Sequence, residues 1–346
     1  MEINILGTAI DLLRSLLMLI IGNELIVRLV MIAAGIGAIM GVIMTAAMVL
    51  TFLERKVCGY MQGRIGPNRV GPYGVLQSLA DTLKLMSKED IIPAGVDRVI
   101  WALSPMLLFT VSALVYGLFP FETGAVLADV NVGVFLVMAI SSQAIMPFLM
   151  GGYGSNSKYS LIGGMRIVAM MLSYEAPMAF ALLGVVMLSG SMRMSTIVEA
   201  QAGGGWFIFL QPVAFIIYVI TITAETNRTP FDLVECESEI IAGPFTEYSG
   251  MRWALFFLAE YANLLSASIL TTVLFLGGWS GPFLPGVVWF WLKVAGMIFL
   301  FMWFRWSFPR TRVDQLLSFS WKVLLPLALA NVLLTGVGMY IWRSMC

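Results

Sequence analysis

A bundle of membrane-spanning helices is the fold class this sequence predicts, and three observations carry the prediction. Hydrophobic residues make up 60% of the chain and charged residues only 12%, with a mean hydropathy of +0.91. Soluble domains are about half apolar and about a quarter charged. The apolar runs are also long and unbroken, as spanning helices require, instead of alternating in and out as barrel strands do. Finally, a dense cluster of carboxylates lies between two of these runs. A bilayer tolerates such a cluster only where the acids face a polar or wet interior.

Taken in order, residues 1–22 carry an apolar run, but Glu2 and Asp11 stand where a signal peptide has bases, and no small-residue cleavage site follows. A retained interfacial helix is therefore expected. The first span covers 26–53, more than the roughly 20 residues a bilayer needs, so it tilts. From 54 to 97 the chain leaves the membrane. Gly59, Gly63, Gly66, Gly71 and Gly74, with Pro67 and Pro72, predict a turn-rich segment. Glycines this dense suggest a fixed backbone that a ligand or partner approaches closely. Leu76, Leu79, Leu83 and Met86 then place an amphipathic helix over 75–88. Further spans follow at 98–119, 132–150, 160–188, 206–224, 252–276, 287–306 and 317–342, about eight in all. No repeat or composition break divides them, so a single membrane domain over 1–346 is expected.

Loop charges give the orientation. Arg55, Lys56, Arg64, Arg69, Lys84, Lys88, Lys158, Arg228, Arg305, Arg310 and Arg312 fall in loops 1–2, 3–4, 5–6 and 7–8, while the other side shows little beyond Arg193 and Arg343. The excess of Lys and Arg puts the first set of loops in the cytoplasm or matrix, with both termini outside.

Absent residue types narrow the chemistry. The chain has no histidine, and its three cysteines (Cys58, Cys236, Cys346) form no CxxC. Bis-histidine haem, His-ligated zinc, a Ser-His or Cys-His catalytic pair and an iron–sulfur cluster held by this chain alone are thereby excluded. No nucleotide-binding glycine loop is present, and a net charge of zero gives nucleic acid no foothold. Any redox cofactor must sit in a partner, and any proton handling must use carboxylates, tyrosines, lysines or water.

The acids cluster where such handling would occur. Between Glu225 and Glu247 stand six acids (Glu225, Asp232, Glu235, Glu237, Glu239, Glu247) against one base, Arg228, out of twenty acids in the whole chain. Like charges this close cannot all stay ionised where water is scarce, which suits proton uptake. A solvated acidic loop is the plain alternative. Glu175 lies within the fourth span with Pro177 just after it, and Glu260 lies within the sixth. Both mark a proton path, since acids at that depth face a polar interior. The alternative, an ion pair of Glu175 with Arg166, meets a separation of about 13 Å along one helix. Lys293 either joins this chemistry or snorkels. For Arg55 and Lys56 the alternative is simple anchoring at an inner helix end, and for Arg310 and Arg312 anchoring is the expected role.

The runs ERKVCGYMQGRIGPNRVGPYG, SYEAP, ETNRTPFDLVECESEIIAGPFTEYSG, AEYAN and RWSFPRTRVDQL resemble the H subunit of proton-pumping NADH–quinone oxidoreductase, respiratory complex I, whose mitochondrial equivalent is the first hydrophobic subunit. The resemblance runs from the first span to Lys322 with every motif in order. It implies a subunit that shapes the chamber where quinone (ubiquinone or menaquinone) enters from the bilayer. Glu54, Arg55, Arg64 and Phe231 would line or brace that channel. Glu225, Asp232, Glu235, Glu237, Glu239 and Glu247 would form an acidic funnel, continued by Glu175 and Glu260. It further implies iron–sulfur clusters and FMN in partner subunits, with peripheral quinone-site subunits and small and antiporter-like membrane subunits as neighbours. The location implied is a bacterial inner membrane, or alternatively the mitochondrial one. Two rivals remain: the homologous membrane subunit of a hydrogenase- or formate-linked complex, and a stand-alone ion-coupled transporter, which the lack of inverted halves argues against.

Overall fold

Prolines decide where the apolar runs of this chain stay helical and where they break. The computed structural model describes residues 5–122, 124, 126–233 and 241–345. Its helices are α1 (Ile5–Ile21), α2 (Glu24–Met61), α3 (Gln77–Ser87), α4 (Arg98–Leu114), α5 (Gly133–Ser142), α6 (Ile145–Gly154), α7 (Lys158–Ser189), α8 (Met194–Gly204), α9 (Phe207–Leu210) and α10 (Pro212–Glu225), then α11 (Gly250–Phe275), α12 (Gly286–Ser307), α13 (Val313–Phe319) and α14 (Leu325–Met345). A π-helical turn over Ser320–Leu324 joins the last two. Among the described residues, seven helical segments are long and apolar enough to cross a membrane, and the shorter α10 is apolar as well. The expected all-helical polytopic class is the one observed.

Two expected spans are interrupted, each by a proline whose ring crowds the carbonyl four residues earlier. Pro147 faces Gln143, and the third span splits into α5 and α6 there. Pro212 faces Ile208, and the fifth splits into α9 and α10. Pro326 faces Lys322, and the last span widens into its π turn around that carbonyl. Pro105 and Pro177, by contrast, remain inside α4 and α7. Each leaves a carbonyl without its helical N–H, and in each case a hydroxyl from elsewhere takes it. Tyr248 Oη donates to the Trp101 carbonyl at 3.0 Å, and Ser320 Oγ donates to the Ser173 carbonyl at 2.6 Å.

The first span runs further than its apolar residues indicate. α2 has 38 residues and ends at Met61, so Glu54, Arg55 and Cys58 are helical instead of belonging to the loop. The glycine-rich segment that follows folds back on itself. At Gly74 (φ +82°) an added Cβ would lie 2.2 Å from the Pro67 carbonyl oxygen, so this close approach is spent on the chain's own backbone. α3 is helical over Gln77–Ser87, within the expected 75–88, and its leucine-methionine face, Leu79, Leu83 and Met86, is exposed.

In the bundle, α7 packs against α6, α10 and α14, while α11 packs against α4, α12 and α2. Two apolar clusters result. One contains Trp101, Phe148, Tyr174, Ala224 and Ala259; the other contains Leu50, Met178, Ile222, Tyr261 and Phe275. Along α7 the boundary between them passes Glu175, along α10 it reaches Glu225, and along α11 it falls at Glu260. The membrane acids thus occupy a polar seam between two apolar layers.

Candidate functional site

Arg228 is the centre of this seam. Asn227, with φ +53°, ends α10 in a left-handed turn that asparagine tolerates, and the Arg228 N–H returns to the Thr223 carbonyl at 3.2 Å. The guanidinium is thereby turned into the bundle, where its side chain is 0% exposed. It meets Glu54 of α2 at 3.1 Å and Glu260 of α11 at 3.4 Å. Arg305, in the last turn of α12, reaches the same two acids at 2.9 and 3.3 Å. Tyr261 donates to Glu54 at 3.1 Å, and its ring lies 5.2 Å from the Arg228 guanidinium carbon. Two acids and two bases therefore balance inside the protein. Buried charges persist when paired and hydrogen-bonded in this way.

Beside this centre, Asp232 is buried and pairs with Arg310 at 3.0 Å. The hydroxyl and N–H of Thr311 both donate to the Pro230 carbonyl, at 2.8 and 3.1 Å. Loop 5–6 is thus tied to the segment between α12 and α13. Arg310 has a specific carboxylate and is not merely an anchor; among the described residues Arg312 pairs with the exposed Asp314.

A series of cavities leads away from the centre. The first is lined by Asp232, Glu260, Arg305, Thr226, Asn227 and Asn263. A second shares Thr226 and Asn263 with it and extends to Ser141 and Glu225. A third shares Ser141, Met171 and Glu225 with the second and ends at Ser142, Tyr174 and Glu175. Glu175 accepts a hydrogen bond from Ser142, while Glu225 Oε2 is buried with no hydrogen-bond partner among the described residues. Carboxylates and hydroxyls spaced along such cavities can hand protons on through water.

The remaining predicted residues lie around this path. Arg55 pairs with Asp81 of α3 at 2.5 Å on the protein surface. Arg64 donates to Gln62 at 2.6 Å and contacts the buried Cys58 sulfur at 3.4 Å. Phe231 is buried with its ring 5.2 Å from that of Tyr174. Glu247 is half-buried before α11. Glu235, Glu237 and Glu239 lie outside the described residues. Lys293 is 7% exposed and donates to the Leu276, Gly278 and Ser280 carbonyls at 2.6, 3.0 and 2.7 Å.

Local spacing assigns no partner to Arg228, Arg305 or Tyr261. Arg228 stands out in the sequence as the one base in an acid-rich window, but its partner Glu54 lies 174 residues away.

Comparison with known proteins decides the family. A family model described as NADH dehydrogenase matches residues 34–336. The chain belongs to the H-subunit family of NADH-quinone oxidoreductases. Relatives that carry this description include one from Carboxydothermus hydrogenoformans, 53% identical over 301 residues and covering 86% of each chain. Another, from Geobacillus kaustophilus, is 50% identical over 309 residues, 88% of this chain and 92% of the relative. A third, from Bacillus cytotoxicus, is 51% identical over 289 residues, 82% and 86% of the two chains. As a member of the H-subunit family the chain is a multi-pass membrane protein whose neighbours are other complex I subunits.

Proposed function

We propose that this chain, as the H subunit of an NADH-quinone oxidoreductase, builds part of the quinone chamber and the first carboxylate segment of the proton-coupling path. The observation that carries this reading is the run of cavities sharing Thr226 and Asn263, then Ser141 and Glu225, between the ion-paired centre and Glu175. Quinone, ubiquinone or menaquinone, enters from the bilayer and is reduced by electrons from iron–sulfur clusters and FMN carried by partner subunits. Arg55, Arg64, Glu54 and Phe231 line or brace the chamber. A change of charge there acts on Glu54 and Glu260 through the shared guanidinium groups of Arg228 and Arg305, since ion pairs with common partners respond together. Glu225 and Glu175 relay the resulting protons toward the antiporter-like subunits, with Asp232, Glu235, Glu237, Glu239 and Glu247 as the acidic entry. The inner loops face the cytoplasm of a bacterial cell.

Glu225→Gln keeps the shape of the side chain but removes the proton-carrying oxygen. In the assembled complex it is expected to lower proton translocation per NADH several-fold while the complex still assembles. Full translocation by this variant would overturn the proton-path reading.

A further inference from the structure

We propose that Ser320 is a positioning residue for Glu175, acting through the carbonyl of Ser173 that Pro177 leaves without a helical partner. The inference rests on the reading of Glu175 as a proton carrier.

In an unbroken helix the Ser173 carbonyl would accept the N–H of residue 177. Proline has none, and its ring crowds that carbonyl. Away from water such a carbonyl must find another donor. Ser320 supplies it at 2.6 Å. Two more bonds reinforce the contact: Trp321 Nε1 donates to Ser173 Oγ at 3.3 Å, and Tyr174 Oη donates to the Leu316 carbonyl at 3.2 Å. Residues 173 and 174 are thus held by one short stretch, 316–321, immediately before Glu175.

The serine owes its place to the second proline. Pro326 cannot pair with the Lys322 carbonyl, and the turn over Ser320–Leu324 widens to a π-helix. One extra residue in a turn rotates the helix before it by about 100° relative to α register. The side that α13 and Ser320 present to α7 is therefore set by the widened turn. Two loosened turns, one in each helix, meet and complete each other.

The consequence falls on Glu175. Its carboxylate accepts from Ser142 and lines the cavity it shares with Glu225. Where Pro177 has weakened α7, the helix's own bonding does not fix the rotation of this turn. The Ser320–Ser173 bond fixes it and aims Glu175 at Ser142 and the cavity.

The test is a cycle in the assembled, membrane-embedded complex, reading NADH–quinone turnover and protons translocated per NADH. Ser320→Ala is expected to lower protons per NADH several-fold, and Ser320→Thr, which keeps the hydroxyl, to retain them. Pro177→Ala restores the N–H that the Ser173 carbonyl lacks, so in that background Ser320→Ala is expected to have no further effect. An equal loss with and without Pro177 would overturn the proposal, because the serine would then act by packing. So would normal translocation by Ser320→Ala when Glu175→Gln is impaired. Full translocation by Glu175→Gln would remove the proton-carrier reading itself, and the proposal with it. If Ser320→Ala does not assemble, recovery of assembly in the Pro177→Ala background supports the proposal, and failure to recover overturns it.

Discussion

Replacing Arg228 by Met is the sharpest probe of the polar seam. The substitution keeps an unbranched side chain as far as the position of Nε and removes the cation between Glu54 and Glu260. Among the described residues the centre pairs two acids with two bases; removing Arg228 takes one positive charge from it, and the net charge of the remaining three, Glu54, Glu260 and Arg305, becomes −1. Removing one member of a buried ion pair costs about 3–5 kcal/mol. Here Arg305 remains within 2.9 and 3.3 Å of both acids and is 22% exposed, so the local charge is partly compensated. The expected loss is therefore at the low end, about 3 kcal/mol. At 1.4 kcal/mol per tenfold this is roughly a hundredfold shift in a folding or assembly equilibrium. Native-gel yield of the intact complex and the temperature of its inactivation measure it. Adding Glu54→Gln to Arg228→Met returns the centre to neutrality, and the double variant should be more stable than Arg228→Met alone. An Arg228→Met complex with wild-type yield and heat resistance would refute the electrostatic account, as would a double variant that is weaker still.

Two further predictions concern the periphery of the site. Burial pushes the Tyr248 phenol up to about 12, outweighing the opposing effects of Ser104 and Arg252. A raised acid group is protonated in the folded state and ionised in the unfolded one between pH 10 and about 12. Its stabilisation is present below pH 10 and is lost as pH rises toward 12. Tyr248→Phe should therefore be less stable than the wild type at neutral pH, by about 1–3 kcal/mol for the orphaned Trp101 carbonyl. It should also lose stability less steeply in alkali; parallel alkaline inactivation curves would contradict this. Arg64→Ala tests the quinone-chamber proposal: inhibitor titrations of NADH–quinone activity should show weaker affinity in an assembled complex, and an unchanged titration would count against a role for Arg64.

Much of the architecture was legible from local pattern. Apolar run length marked the spans because a bilayer sets a minimum helix length, and the 3.6-residue spacing of leucines marked α3. The breaks at Gln143 and Gln211 and the π turn before Pro326 were also present in the sequence as prolines, but their outcome was not. Pro105 and Pro177 sit inside intact helices because Tyr248 and Ser320 satisfy the carbonyls they free. In α4 and α7 the helix continues through its proline and a distant hydroxyl reaches the orphaned oxygen, a contact that local sequence does not show. α2 ran past its apolar limit for a related reason. Its last two turns carry Glu54, whose cost of burial is offset by Arg228, Arg305 and Tyr261 from other helices.

The sequence by itself determined the class of molecule, the acids available for proton chemistry and the absence of any histidine-based site, since these follow from composition and local periodicity. Its long motifs also pointed to the family. Only the tertiary structure decided that Glu260 and Glu54 are two arms of one ion-paired centre, that Glu225 and Glu175 share a cavity instead of standing alone, and that Lys293 caps carbonyls instead of snorkelling. Pair interactions of this kind fall off within a few ångströms, and the chain path that brings residue 54 to residue 228 is a property of the whole bundle. Local spacing cannot encode it.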